Sequence, residues 1–169
     1  MNGVTQYGGV AGFYFHHLLS QIIRIGNLNN FDGKILDFGC GVGQLKRRLG
    51  GDKVIGYDVI QSLSDVHDWR STNFDVFVAN QVLYSFSEKD LNSLLEELKS
   101  KNPDLRMIVG ISRQGMLNNI GKYLLGRPNA HSHTKIRPEQ EIEILQRHGT
   151  ILQRKNVFWL ADVYLLKFN

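Results

Sequence analysis

Nine residues constrain this chain more than any others: Ile35-Leu36-Asp37-Phe38-Gly39-Cys40-Gly41-Val42-Gly43. A short apolar run enters three alternating glycines. Gln44 to Leu49 then carries a helical pattern that Gly50-Gly51 closes. The order is strand, tight turn, helix. Glycine accepts the left-handed backbone of such a turn and lets a ligand approach the main chain closely. The turn also places backbone N–H groups and the positive end of the next helix over a small ligand.

A second strand-like run, Lys53 to Asp58, ends 15 residues after Gly43. A carboxylate at that strand tip is well placed to accept both ribose hydroxyls of an adenosyl group. Either feature alone has an ordinary structural explanation, since tight turns use glycine freely and turns often carry aspartate. Their combination is what points to a cofactor. A dinucleotide fingerprint wants glycines at relative positions one, three and six. Counting from Gly39, the fifth position is Gly43 and the sixth is Gln44. No Gly-Lys-Ser/Thr follows the turn, which excludes a P-loop. A nicotinamide dinucleotide is therefore the second choice of cofactor.

The other elements follow from periodicity. Ala11 to Ile25 reads as a helix, with Phe15, Leu18, Leu19, Ile22 and Ile23 at spacings of three and four. Phe74 to Ala79 and Leu105 to Ile111 read as buried strands. Only a rudimentary strand, near Leu63 to Val66, fits between Asp58 and Phe74. Glu88 to Ser100 is an amphipathic helix with Leu91, Leu94, Leu95 and Leu98 on one stripe and Ser87 or Ser85 as cap. Gln114 to Leu125 reads as a helix and Arg127 to Arg137 as a polar loop. Another helix starts near Pro138, and Thr150 to Val157 with Ala161 to Phe168 should form a hairpin. Strands alternating with helices give an α/β fold with a mainly parallel sheet.

The 169 residues suit one domain, and the single cysteine, Cys40, allows no internal bridge. No stretch is apolar enough to span a bilayer, and no signal peptide is apparent, so a cytoplasmic protein is expected. Twenty Lys and Arg against 16 Asp and Glu leave a net charge of +4. The basic residues are dispersed, Lys46-Arg47-Arg48 being the densest cluster, which argues against a nucleic-acid partner.

The run Ile-Leu-Asp-Phe-Gly-Cys-Gly-Val-Gly, then Val-Ile-Gly-Tyr-Asp, then Phe-Asp-Val-Phe-Val-Ala-Asn-Gln-Val-Leu resembles class I S-adenosylmethionine-dependent methyltransferases of the small-molecule type, with a minimal Rossmann-like core. The resemblance covers Lys34 to Ile111, and more loosely the terminal hairpin. It implies a Rossmann-like three-layer sandwich with strand order 3-2-1-4-5-7-6, an antiparallel last strand and a rudimentary third one. It divides one methyltransferase domain into an N-terminal cap (1–30), a cofactor-binding core (31–111), helices and a possible lid (112–149) and the hairpin (150–169).

The resemblance also implies the site. Gly39, Cys40, Gly41 and Gly43 would line the methionine and ribose part of S-adenosylmethionine, with Asp37 near the methionine amino group. Asp58 would hold the ribose, Val59 would lie against the adenine, and Asp65, with Val66, would meet the adenine edge; Asp68 is the alternative to Asp65. Asn80, after the next strand, completes the set, with Gln81 and Tyr84 as candidates for lining the acceptor space.

A sulfonium methyl is already activated, so alignment is the protein's main task, and a base is needed only for a protonated nucleophile. His131, His133 and Tyr84 are the catalytic candidates; His16 and His17 read as packing or surface residues. No third ligand stands near His131-Ser132-His133, so no metal site is expected. The fourth strand is not followed by the Asn/Asp-Pro-Pro-aromatic signature of base or glutamine methylation. The expected function is methyl transfer to a small, lipid-linked or sugar-linked acceptor. A cofactor-binding module or partner subunit without transfer activity is the alternative.

Overall fold

Four consecutive buried residues, Ile35–Phe38, form strand β1, and such a run survives only where both sheet faces are covered. In the computed structural model, which describes residues 9–113 and 135–169, helices lie on both faces. Strand β2 (Val54–Tyr57) and strand β3 (Val76–Asn80) flank β1 in parallel, with Leu36 opposite Ile55 and Phe77. Strand β4 (Arg106–Ser112) pairs in parallel with β3. The hairpin of β5 (Gly149–Val157) and β6 (Ala161–Phe168) joins through β6, antiparallel to β4. The sheet order is β2-β1-β3-β4-β6-β5.

Alternation along the strands divides the core in two. Ile35, Val76, Val78 and Ile108 face helix α1 (Gly9–Ile25) and helix α2 (Gln44–Leu49), packing with Leu18, Ile22 and Leu45. Leu36, Phe77, Ala79 and Met107 face helix α3 (Glu88–Lys101) and helix α4 (Pro138–His148), packing with Leu91, Leu95, Leu98 and Ile144. Each of these side chains larger than alanine contributes roughly 1.5–3 kcal/mol by leaving water. Ser87, not Ser85, caps α3: its Oγ accepts from Asp90 N–H at 3.1 Å, whereas Ser85 Oγ donates to the Val82 carbonyl. The helix expected over Gln114 to Leu125, and most of the loop after it, lie outside the described residues.

The rudimentary third strand does not form. Between β2 and β3 the described chain makes two single 3-10 turns, Gln61–Leu63 and Trp69–Ser71. Asp65 stands in for a strand on the open edge of β2. Its N–H donates to the Gly56 carbonyl at 2.8 Å, and its carboxylate accepts from Gly56 N–H at 2.6 Å. A connection this short cannot carry a crossover helix and a paired strand, so one residue satisfies both main-chain groups that a strand would have used.

At the other end of the sheet, Asp162 is 3% exposed and accepts from Arg113 (Nε 2.6 Å, Nη2 3.1 Å), Arg154 (2.9 Å) and Asn156 (3.1 Å). Burial pushes its pKa up, but these donors outweigh burial and hold the carboxyl below its ordinary value. The hairpin turns at Phe158 and Trp159, with φ of 50° and 61°. Left-handed backbone costs bulky residues of the order of 1 kcal/mol each, and Asn-Gly is the usual choice for such a turn. Trp159 N–H donates to Asn156 Oδ1 at 3.0 Å and Leu160 N–H to the Val157 carbonyl at 3.0 Å, which hold the turn closed.

Two stability predictions follow from the buried carboxyls. Asp162→Asn leaves two guanidinium groups without their anion and should lower Tm by roughly 5 °C at neutral pH. The carboxyl's folded-state pKa is depressed, so the difference from wild type should be full above the ordinary aspartate range and shrink as pH falls through it. Glu141, buried on α4, is the opposite case: burial pushes its pKa from 4.5 up to about 8. Its stability penalty therefore grows as pH rises from 4.5 towards 8. Glu141→Gln should raise Tm, more at the upper end of that window than at the lower, in melts followed by circular dichroism.

Candidate functional site

The β1-to-α2 turn is built from three left-handed glycines: φ is 76° at Gly39, 52° at Gly41 and 70° at Gly43. They are required for two different reasons. A Cβ on Gly39 would come within 2.7 Å of the Val82 side chain, so packing also excludes one there. A Cβ on Gly41 or Gly43 would meet nothing within 4 Å, so at these two the reason is backbone angle and an open face. Gly39 and Cys40 N–H groups both donate to the Tyr57 carbonyl, at 2.7 and 3.1 Å, which ties the turn to the end of β2.

That tie brings Asp58 to the turn. Asp58 Oδ2 accepts from Gly41 N–H at 3.0 Å and Oδ1 from Ile60 N–H at 2.9 Å. Each oxygen has a second lone pair, so the carboxylate can still accept two hydroxyl donors. Val59, the next residue, projects its side chain into solvent at 88% exposure. Ser64, which the sequence did not single out, organises the connection beyond: its Oγ accepts from Asp58 N–H at 3.2 Å and donates to the Val66 carbonyl at 2.6 Å.

A cleft of about 550 Å³ opens beside the turn, lined by Asp37, Cys40, Gly41, Gly43, Lys46 and Asp65 among others. Asp37 is buried at its base. Burial first, and then the neighbouring Asp58 and Asp65, push its carboxyl up to about 7. Burial and the same three aspartates push the Cys40 thiol up to about 12, so this cysteine is no nucleophile at neutral pH. Asp65 lines the cleft, but besides Gly56 it accepts from Lys46 Nζ at 2.8 Å. Its burial acts upward, and the Lys46 and Gly56 hydrogen bonds overcome it and lower its pKa. Asp68 instead caps the Trp69–Ser71 turn through Arg70 N–H.

Asn80 ends β3 with its Oδ1 buried and unpartnered, the one such side-chain atom among the described residues. A Cβ on the neighbouring Gly110 would lie 2.5 Å from that oxygen, so the glycine makes room for it. Gln81 follows at φ 55°, its N–H donating to the Gly110 carbonyl at 2.8 Å and its Nε2 to the Tyr14 hydroxyl at 2.9 Å. Tyr14 thus carries α1 to this end of the sheet. Burial pushes its phenol up to about 12, so it is neutral at physiological pH. The contact spans 67 residues of sequence and gives no local signal.

The Tyr84 carbonyl accepts from Lys135 N–H at 2.9 Å, which anchors the chain leading into α4. His17 pairs with Gln21 and lies in ring contact with Phe13 and Phe158; it does not line the cleft. His131 and His133 lie outside the described residues.

No family model and no curated protein sequence matches this chain. Solved structures do. The chain resembles 1,6-didemethyltoxoflavin-N1-methyltransferase from Burkholderia thailandensis, crystallised with S-adenosylhomocysteine, at 13% identity and a TM-score of 0.65, over 92% of this chain and 78% of that one. It resembles the N-methyltransferase NodS from Bradyrhizobium japonicum WM9, also with S-adenosylhomocysteine, at 15% identity and a TM-score of 0.62, over 92% and 87%. The small RNA methyltransferase HEN1 matches at 12% identity and a TM-score of 0.66, over the whole of this chain and 27% of that one. The chain has the fold of the class I S-adenosylmethionine-dependent methyltransferases.

Proposed function

We propose that the chain binds S-adenosylmethionine in the cleft above the glycine turn and transfers its methyl group to a small, lipid-linked or sugar-linked acceptor. The observation that carries this reading is the Asp58 carboxylate hydrogen-bonded to Gly41 N–H, beside an open glycine face. It meets three requirements of an adenosyl ligand together: an acceptor for vicinal hydroxyls, room against the backbone, and a second carboxyl, Asp37, for an ammonium group. The structural neighbours that carry S-adenosylhomocysteine support the same choice.

The cofactor supplies a methyl on a sulfonium, which needs no further activation. The chain's own residues bind and orient. Asp58 holds the ribose, Asp37 faces the methionine amino group, and Val59 presents an apolar surface to the adenine. Asp65 and Val66 border the adenine edge, Asp65 with part of its accepting capacity already committed to Gly56 and Lys46. The unpartnered Asn80 Oδ1 offers an acceptor at the tip of β3. Orientation of this kind can supply roughly 7–11 kcal/mol of a barrier without a catalytic base.

The missing third strand favours one other reading, a cofactor-binding module that performs no transfer. Incubation with methyl-labelled cofactor and metabolite extracts separates the two: labelled product supports the enzyme, and none across several extracts supports the module.

Calorimetry tests the site itself. S-adenosylhomocysteine should bind and NAD should not. Asp58→Ala should weaken binding by roughly a hundredfold or more, the loss of two hydrogen bonds to a charged group. Equal affinity in that variant would remove the ribose assignment.

Asp37 makes a separate prediction. With its carboxyl near 7, it is largely protonated at the acid end of the physiological range. A ligand ammonium stabilises the carboxylate, so affinity should fall as pH drops through that value, and binding near or below it should release a proton from Asp37. Asp37→Asn should flatten this dependence; a flat profile in the wild type would place the ammonium elsewhere.

A further inference from the structure

The rim of the sheet carries an aromatic patch that the cofactor site does not use. Phe13 on α1 is 65% exposed, and Phe158 and Trp159 at the β5–β6 turn are 45% and 70% exposed. Phe13 and Phe158 are in ring contact at 5.8 Å, and His17 lies 4.7 Å from Phe158. The register places this patch at the same end of the sheet as the glycine turn, at the edge opposite β2. Ala161, which starts β6, pairs with Ser112 at the end of β4, and Arg113 N–H donates to the Leu160 carbonyl. Tyr14, beside Phe13 in sequence, reaches Gln81 at the tip of β3.

Three features define the occupant. First, Phe158 and Trp159 stand exposed on a two-residue turn, in a left-handed backbone that glycine or asparagine would adopt more easily. Second, the exposed area of the three side chains is roughly 400 Å². A stable protein interface needs about 800 Å² from each partner, so a second copy of this chain or another folded protein is poorly served. Third, the surroundings are cationic. Helix α1 contains no Asp or Glu, and the only acidic residue of the hairpin, Asp162, is buried under two arginines. Arg48 donates to the His16 carbonyl and Ser20 Oγ, and neither it nor Lys155 joins an ion pair among the described residues. Protruding Trp and Phe flanked by cations is the pattern that seats at the headgroup level of a bilayer.

We propose that Phe13, Phe158 and Trp159 form an anchor that seats this rim of the domain on an anionic lipid surface, with the glycine-turn end of the sheet facing the membrane. The anchor is independent of methyl transfer. It would let an apolar acceptor reach the site from the bilayer interface.

The test is sedimentation of the full chain with phosphatidylcholine vesicles, with and without phosphatidylglycerol. The chain should bind the anionic vesicles preferentially. Emission from Trp159 should shift to the blue on binding, since the only other tryptophan, Trp69, is already buried. Phe13→Ala with Trp159→Ala should weaken vesicle binding by about tenfold or more. Leu152→Ala, an equally exposed apolar residue elsewhere on β5, should leave it unchanged.

Trp159→Gly separates docking from folding: it should be at least as stable as wild type, because it relieves the left-handed residue, yet still bind vesicles more weakly. S-adenosylhomocysteine binding measured on the same variants should stay at the wild-type value, so failure here and failure of the cofactor reading are told apart. Absence of binding to anionic vesicles, or equal binding by the double variant, would overturn the anchor. Self-association abolished by the same substitutions, without vesicle binding, would also overturn it and assign the patch to a second copy.

Discussion

The hydrogen bond from Gly41 N–H to the Asp58 carboxylate joins the two halves of the site. It couples a turn that leaves β1 to the residue that ends β2, and it holds only because both strands stop at the same level. The β1–β2 register sets that level, with Phe38 opposite Tyr57. The Tyr57 carbonyl, accepting from Gly39 and Cys40, closes the turn onto the strand end. The left-handed backbone at the three glycines meets these bonds and leaves the loop open at Gly41 and Gly43. The cleft is the remainder of that geometry.

Beside it lies an economy of chain. The connection from Asp58 to Phe74 is too short for the helix and strand that would otherwise cover the edge of β2. Asp65 closes the edge with one residue, and Lys46 from α2 neutralises the carboxylate that does so. Gly56 makes this possible, because a Cβ there would stand 2.9 Å from Cys40 Sγ and 3.1 Å from the Asp65 carboxylate. One consequence is electrostatic. Asp37 is buried beside Asp58 and Asp65, and burial first, then these two neighbouring carboxylates, push its carboxyl up to about 7. A site with this balance favours a ligand bringing positive charge.

The far side of the sheet follows another logic. The hairpin is tied to β4 by the Asp162 cluster, where two arginines and an asparagine satisfy one buried carboxylate. That fixture sits directly behind the Phe158-Trp159 turn and holds its shape. The hairpin can therefore carry two aromatics in an unfavourable backbone and keep them in water. Rigid support and outward display occur in the same twenty residues.

Much of this was readable along the chain, and the division has a physical cause. The short buried apolar runs of Ile35–Phe38 and Val76–Asn80, the leucine stripe of Glu88–Lys101, and the glycines of the turn act over a few residues, where period and backbone freedom leave a local imprint. Asp58 could be placed because it is one strand away from that turn. The shortness of the next connection was equally plain, and it correctly cast doubt on a full third strand. The fate of Asp65 was not plain, because its partners Gly56 and Lys46 meet it only when β2 and α2 pack. Tyr14 against Gln81, the raised carboxyls of Asp37 and Glu141, and the cluster at Asp162 likewise come from groups distant in sequence. Burial and charge proximity are properties of the assembled core, and no local pattern encodes them.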